Sequence, residues 1–167
     1  NIVANMSEDE FMQLLLRHKV ALQPVKHTHN WRTIASTISN KWGSMEKMLG
    51  YVDYDFIKLR ELVQINLKKD FPYLSGHKIF NYWSFIIQEY GEIKLTNSEL
   101  IEIAPDTHVT KCSVILGVIT KEEAESISKE DLSARWRALL KDSGITPIQM
   151  HPPLWFWSRN NFQFKLE

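Results

Sequence analysis

The sequence predicts an all-α protein, and three observations carry that expectation. Apolar residues recur at helical spacing, Ser, Thr and Asp stand just ahead of the apolar runs, and no segment alternates long enough to make a strand. With 167 residues, 44% of them apolar and 24% charged, the chain has the size and make-up of one domain with a continuous core. No low-complexity linker and no internal repeat interrupts it, so a single helical domain over 1–167 is expected.

Taken in order, Ser7 with Glu10 reads as a capping box ahead of Phe11, Leu14 and Leu15. Trp31, Ile34, Ala35, Ile38 and Trp42 follow helical spacing and predict an amphipathic helix that Gly43 ends. A short helix from Ser44 is expected next, then one from Asp53 carrying Phe56, Leu59, Leu62 and Val63. Phe71 to Gly76 reads as a turn. An aromatic-rich helix from His77 to Tyr90 is apolar nearly all round, which predicts a central, buried position. Residues 91–105 make a connection with one helical turn near Glu99, and a helix follows from Asp106 to about Gly117. Thr120 with Glu123 and Ser128 with Asp131 predict two more helix starts, the second helix running to Gly144. Pro147 suits a first helical position after Thr146, and Pro152 and Pro153 a restart into Leu154 to Trp157.

Twenty basic and twenty acidic residues cancel, so any nucleic-acid surface must be a local one. Cys112 is the one cysteine, which excludes an intrachain disulfide and any cysteine-based zinc or iron–sulfur site and fits a cytoplasmic setting. No stretch approaches the roughly 18 apolar residues of a membrane span. The chain opens on Asn1, which leads us to expect a natural segment ahead of it. His18, His27 and His29 have no acidic or cysteine partner at ligand spacing, and no metal is expected.

Lys78 and Asp106 are the residues with chemistry to offer. Each stands at the start of an apolar helix-like run, Lys78 in Leu74-Ser75-Gly76-His77-Lys78 and Asp106 in Pro105-Asp106-Thr107-His108-Val109. An amine beside buried surface is more easily kept neutral and nucleophilic. An aspartate after proline and before an apolar run is a helix cap, held ionised by backbone donors and the helix dipole.

These motifs resemble the helix-hairpin-helix DNA glycosylase superfamily. Lys78-Ile-Phe-Asn-Tyr, Pro105-Asp106, Gly144-Ile-Thr-Pro-Ile148 and Leu154-Trp155 are similar, in order and approximate spacing, to its archaeal 8-oxoguanine DNA glycosylase branch, and the resemblance covers residues 74–160. It implies a glycosylase-like helical fold with the active-site cleft at helix N-termini. It implies Lys78 as the nucleophile that attacks the sugar C1′, and Asp106 as the carboxylate that offsets charge on the sugar. Tyr82 and Trp155 would line the pocket for the flipped base. Where that branch has a base-contacting aspartate one turn before the pocket tryptophan, this chain has His151. The superfamily's glycine-rich hairpin is reduced to Gly76 with His77, and these, with His108 and Lys111, are the expected DNA contacts. The implied partner is duplex DNA containing a damaged base, bound by a monomer without a cofactor or a membrane. Two other functions remain open at this point: cleavage of an N-glycosidic bond in RNA or a nucleoside, and a non-catalytic helical module that binds nucleic acid.

Overall fold

Side-chain caps set several of the helix starts in the computed structural model, which describes residues 2–163. The protein is all-α, with no strand among the described residues. By its internal contacts the chain divides into two compact units, the first ending at Gly76 and the second beginning at His77. No change of composition marks that point.

The first unit is built on one long helix. After a single turn, α1 (Ile2–Asn5), helix α2 (Glu8–Arg17) starts at the expected capping box: the Ser7 hydroxyl accepts the Glu10 backbone N–H at 3.2 Å, and the Glu10 carboxylate accepts that of Ser7 at 2.9 Å. Helix α3 (Pro24–Trp42) starts on a proline whose fixed φ suits the first turn, and packs against α1, α2 and α4 (Met45–Tyr51). Gly43 ends α3 at φ +83°, a left-handed conformation that glycine adopts without a Cβ penalty. The next helix differs from expectation. Asp53 lies in the turn, and Asp55 caps α5 (Phe56–Glu61) through the Lys58 N–H at 2.9 Å. A π-helical turn at Leu62–Asn66 follows, which keeps Leu62 and Val63 inside with Phe56 and Leu59.

In the second unit, α6 (His77–Tyr90) has the predicted ends. It is not buried all round: Phe80, Phe85 and Ile87 point inward, while Ile79, Tyr82 and Ile86 are exposed. The connection carries a 3-10 turn at Ser98–Leu100, and α7 (Thr107–Ile115) begins directly after Asp106. Thr120 and Glu123 do cap one another, but only a single 3-10 turn, Glu123–Glu125, follows. Helix α8 (Lys129–Leu140) is capped by Ser128 and stops short of Gly144. A 3-10 turn at Pro147–Met150 runs straight into α9 (His151–Arg159), so the restart expected at the prolines falls at His151.

The core of this unit joins Ile103, Val109, Cys112, Ile119, Leu132, Trp136 and Leu154. Three of its polar groups are paired, as burial favours. The Trp136 indole N–H donates to the Ser113 hydroxyl at 2.9 Å, and the Ser133 hydroxyl donates to the Ile103 carbonyl at 3.1 Å. The Cys112 thiol donates to the Leu154 carbonyl at 3.1 Å and so ties α7 to α9. That pairing matters, because Asp106 caps α7 and α9 carries His151 and Trp155.

Candidate active site

Asp106 is fixed by its own helix. Its backbone is extended, and its Oδ1 accepts the N–H groups of His108 at 2.9 Å and Val109 at 3.0 Å, two donors that a helix start otherwise leaves unpaired. The Lys78 Nζ reaches the other oxygen, Oδ2, at 3.4 Å. Lys78 and Asp106 therefore meet, Lys78 from the first turn of α6 and Asp106 from the cap of α7. Burial alone would raise the pKa of the Asp106 carboxyl. The Val109 hydrogen bond and the neighbouring charges of Lys78 and His151 outweigh it and leave the group below the usual carboxylate range. The Lys78 side chain is 55% exposed, so the partial burial expected for it is not what the structure shows; its setting is defined by the carboxylate instead.

Both residues line a cleft of about 330 Å³, with Ile79, Tyr82, Ala104, His151, Pro152, Trp155 and Phe156. That volume falls in the range of small-ligand sites, and a largely apolar wall with a few convergent polar groups is their usual make-up. Helical spacing supplies the wall. Lys78 and Tyr82 stand one turn apart on α6, and His151 and Trp155 one turn apart on α9. The structure thus brings together all five residues expected for catalysis and base binding: Lys78, Asp106, Tyr82, His151 and Trp155.

His151 is buried, with its ring against Tyr82 at 5.5 Å between centroids, and its Nδ1 is enclosed without a hydrogen-bond partner. Burial dominates its titration and lowers the imidazole pKa; Asp106 opposes that shift and Lys78 reinforces it. A neutral ring offers one donor and one acceptor.

Of the residues expected to touch DNA, none lines the cleft. His77 and Lys111 are exposed on α6 and α7, and Gly76 is exposed in the preceding turn, where a Cβ would meet nothing within 4 Å. His108 is used internally: its Nδ1 lies 3.0 Å from the Ser158 hydroxyl and its ring packs on Trp155 at 5.4 Å. One more residue of α9, at the far end of the helix from His151, lies close to Trp155. The Arg159 guanidinium lies over the Trp155 ring at 4.9 Å. Their spacing of one helical turn is the signal that finds such a pair.

Among the described residues no group of three or more His, Cys, Asp or Glu side chains is placed to hold a metal ion, and no helix is long and apolar enough to cross a membrane. Set against protein-family models, curated proteins and solved structures, the chain gives no match.

Proposed function

We propose that this protein is a DNA N-glycosylase with AP-lyase activity, of the helix-hairpin-helix type, and that it removes an oxidised purine such as 8-oxoguanine. The observation that carries the reading is the Lys78–Asp106 pair, 3.4 Å apart in a cleft walled by Tyr82, His151 and Trp155. An amine and a rigid carboxylate side by side suit displacement of a base from C1′. The damaged nucleotide is extruded from the duplex into the cleft, where aromatic rings replace its lost stacking. As the glycosidic bond lengthens, positive charge grows on the sugar ring, and the ionised Asp106 offsets it from a position held by two backbone donors. The neutral Lys78 amine attacks C1′, the base leaves with the bond's electron pair and gains a proton, and loss of a proton from the nitrogen opens the sugar to a Schiff base. β-Elimination of the 3′ phosphate then nicks the strand, and hydrolysis frees the lysine.

The ion pair is the resting arrangement. Attack requires the amine to give up its proton, and Asp106, its nearest carboxylate, is the group in contact with it. The sole carboxylate among the lining residues is Asp106, so no second acid in the cleft wall repels a phosphate backbone. Glu122 and Glu125 lie in the exposed turn before α8, and Glu123 there is paired with Arg135.

Base release and strand nicking on duplexes carrying single defined lesions test the reading. An 8-oxoguanine duplex should be nicked by the wild type and left intact by Lys78→Gln. Release of a base from RNA or a free nucleoside, with no action on the duplex, would move the activity to another N-glycosidic substrate. Duplex binding without any cleavage would leave a non-catalytic module.

A further inference from the structure

The first, middle and last residues of α9 share a stripe: His151, Trp155 and Arg159 follow one another at intervals of one helical turn. Trp155 has the largest ring system among the residues lining the cleft, and the Arg159 guanidinium already lies over its ring at 4.9 Å. The negative face of an aromatic ring is what attracts a cation, and a face occupied by one cation has little left for a second. The cleft's carboxylate is committed in the same way. Asp106 Oδ1 accepts two backbone N–H groups, and Oδ2 faces the Lys78 ammonium. Lys78 is the cation that lines the cleft itself; Arg159 is not among the lining residues and acts through the Trp155 ring. A base with a fixed positive charge would therefore meet the Lys78 ammonium in the cleft and a Trp155 ring already engaged by Arg159, with the nearest carboxylate committed as well. A neutral base meets the same apolar wall at no such cost.

We propose that Arg159 is a charge filter, which confines the cleft to neutral bases and turns away those with a fixed positive charge, such as purines alkylated at N7. This rests on the glycosylase reading above and narrows its substrate class. His151 adds no charge of its own at neutral pH, since burial favours its neutral ring.

The test uses three duplexes of one sequence. Two carry 8-oxoguanine or 7-methylguanine as 2′-fluoro nucleotides, which resist cleavage and allow equilibrium binding; the third carries an abasic site for borohydride trapping. The wild type should bind the 8-oxoguanine duplex about two- to fivefold more tightly than the 7-methylguanine duplex, the scale of one cation–π contact by an exposed arginine. Arg159→Gln should lower that ratio towards one, and Arg159→Lys, which keeps the charge, should retain it. Using the ratio removes any general loss of phosphate attraction common to both duplexes. Equal binding of the two lesions by the wild type, or an unchanged ratio in Arg159→Gln, overturns the filter. If the wild type fails to trap on the abasic duplex, the glycosylase reading falls and the filter with it; trapping with an unchanged ratio removes the filter alone.

Discussion

The Lys78–Asp106 ion pair has one partner more than half exposed, so water screens it and it adds at most about 1 kcal/mol to folding. Lys78→Gln should accordingly melt close to the wild type while losing all covalent chemistry. Asp106 combines two roles that substitution separates. Asparagine still caps a helix but carries no charge, so Asp106→Asn should slow base excision by at least about a hundredfold, the scale of a lost charge-stabilising group, with little change in stability. Asp106→Ala removes the cap as well and should cost about 0.5–2 kcal/mol in addition; thermal melts beside single-turnover excision check both. Trp155 is held by three neighbours, at 5.4 Å from His108, 5.3 Å from Phe156 and 4.9 Å from Arg159, yet its ring is only partly buried. As a stacking partner worth about 1–3 kcal/mol, its loss in Trp155→Ala should weaken binding to a damaged duplex by roughly ten- to a hundredfold and leave undamaged duplex nearly unaffected. A drop of about 3–5 kcal/mol in stability with no selective loss for damaged DNA would instead make Trp155 a packing residue.

At the scale of elements, the capped helix starts, among them that of α7 at the site, were legible because they are local. Ser7, Ser44, Asp106 and Ser128 each accept an N–H two or three residues ahead, an interaction that needs no other part of the chain. Elements fixed by packing were not legible. Nothing local to Asp53 favours Asp55 as the cap, and the π-helical turn after α5 trades one regular turn for burial of Leu62 and Val63. The open face of α6 was hidden for a similar reason: its composition is apolar all round, and exposure of Ile79 and Tyr82 depends on where α9 begins. The bond between His108 and Ser158 spans 50 residues and leaves no trace in spacing. The start of α9 carries a pH dependence of its own. The folded imidazole of His151 holds its proton less well than the ordinary value of 6.5 that the unfolded chain retains, so below that value the unfolded state binds more protons. The stability present above pH 6.5 is then lost as pH falls toward the lowered folded value. Melting temperature should decline from about pH 7 to about pH 5, and His151→Gln, which does not titrate, should flatten that decline; an unchanged slope would place the titrating group elsewhere. Asp106, also lowered, contributes above its ordinary 3.8 and loses that contribution only at more acidic pH.

For the whole molecule, the zero net charge is uninformative about the cleft, because twenty acids and twenty bases cancel only in the sum. If the partner is duplex DNA, binding should weaken steeply with salt, as counterions released by each neutralised phosphate are recovered; a flat salt dependence would favour a small neutral substrate. All of the candidate chemistry lies in the second unit, which begins one residue before Lys78. The resemblance drawn from residues 74–160 falls on nearly the same span, and its five site residues do share a cleft. The claim on which the rest depends is that Lys78 forms a covalent bond to the sugar. Borohydride reduction during reaction with an 8-oxoguanine duplex, followed by proteolysis and mass mapping of the protein–DNA adduct, reads it directly. The account predicts a trapped species whose adduct maps to the peptide containing Lys78 and which is lost in Lys78→Gln. No trapped species, or one that maps to another lysine and survives that substitution, would contradict it.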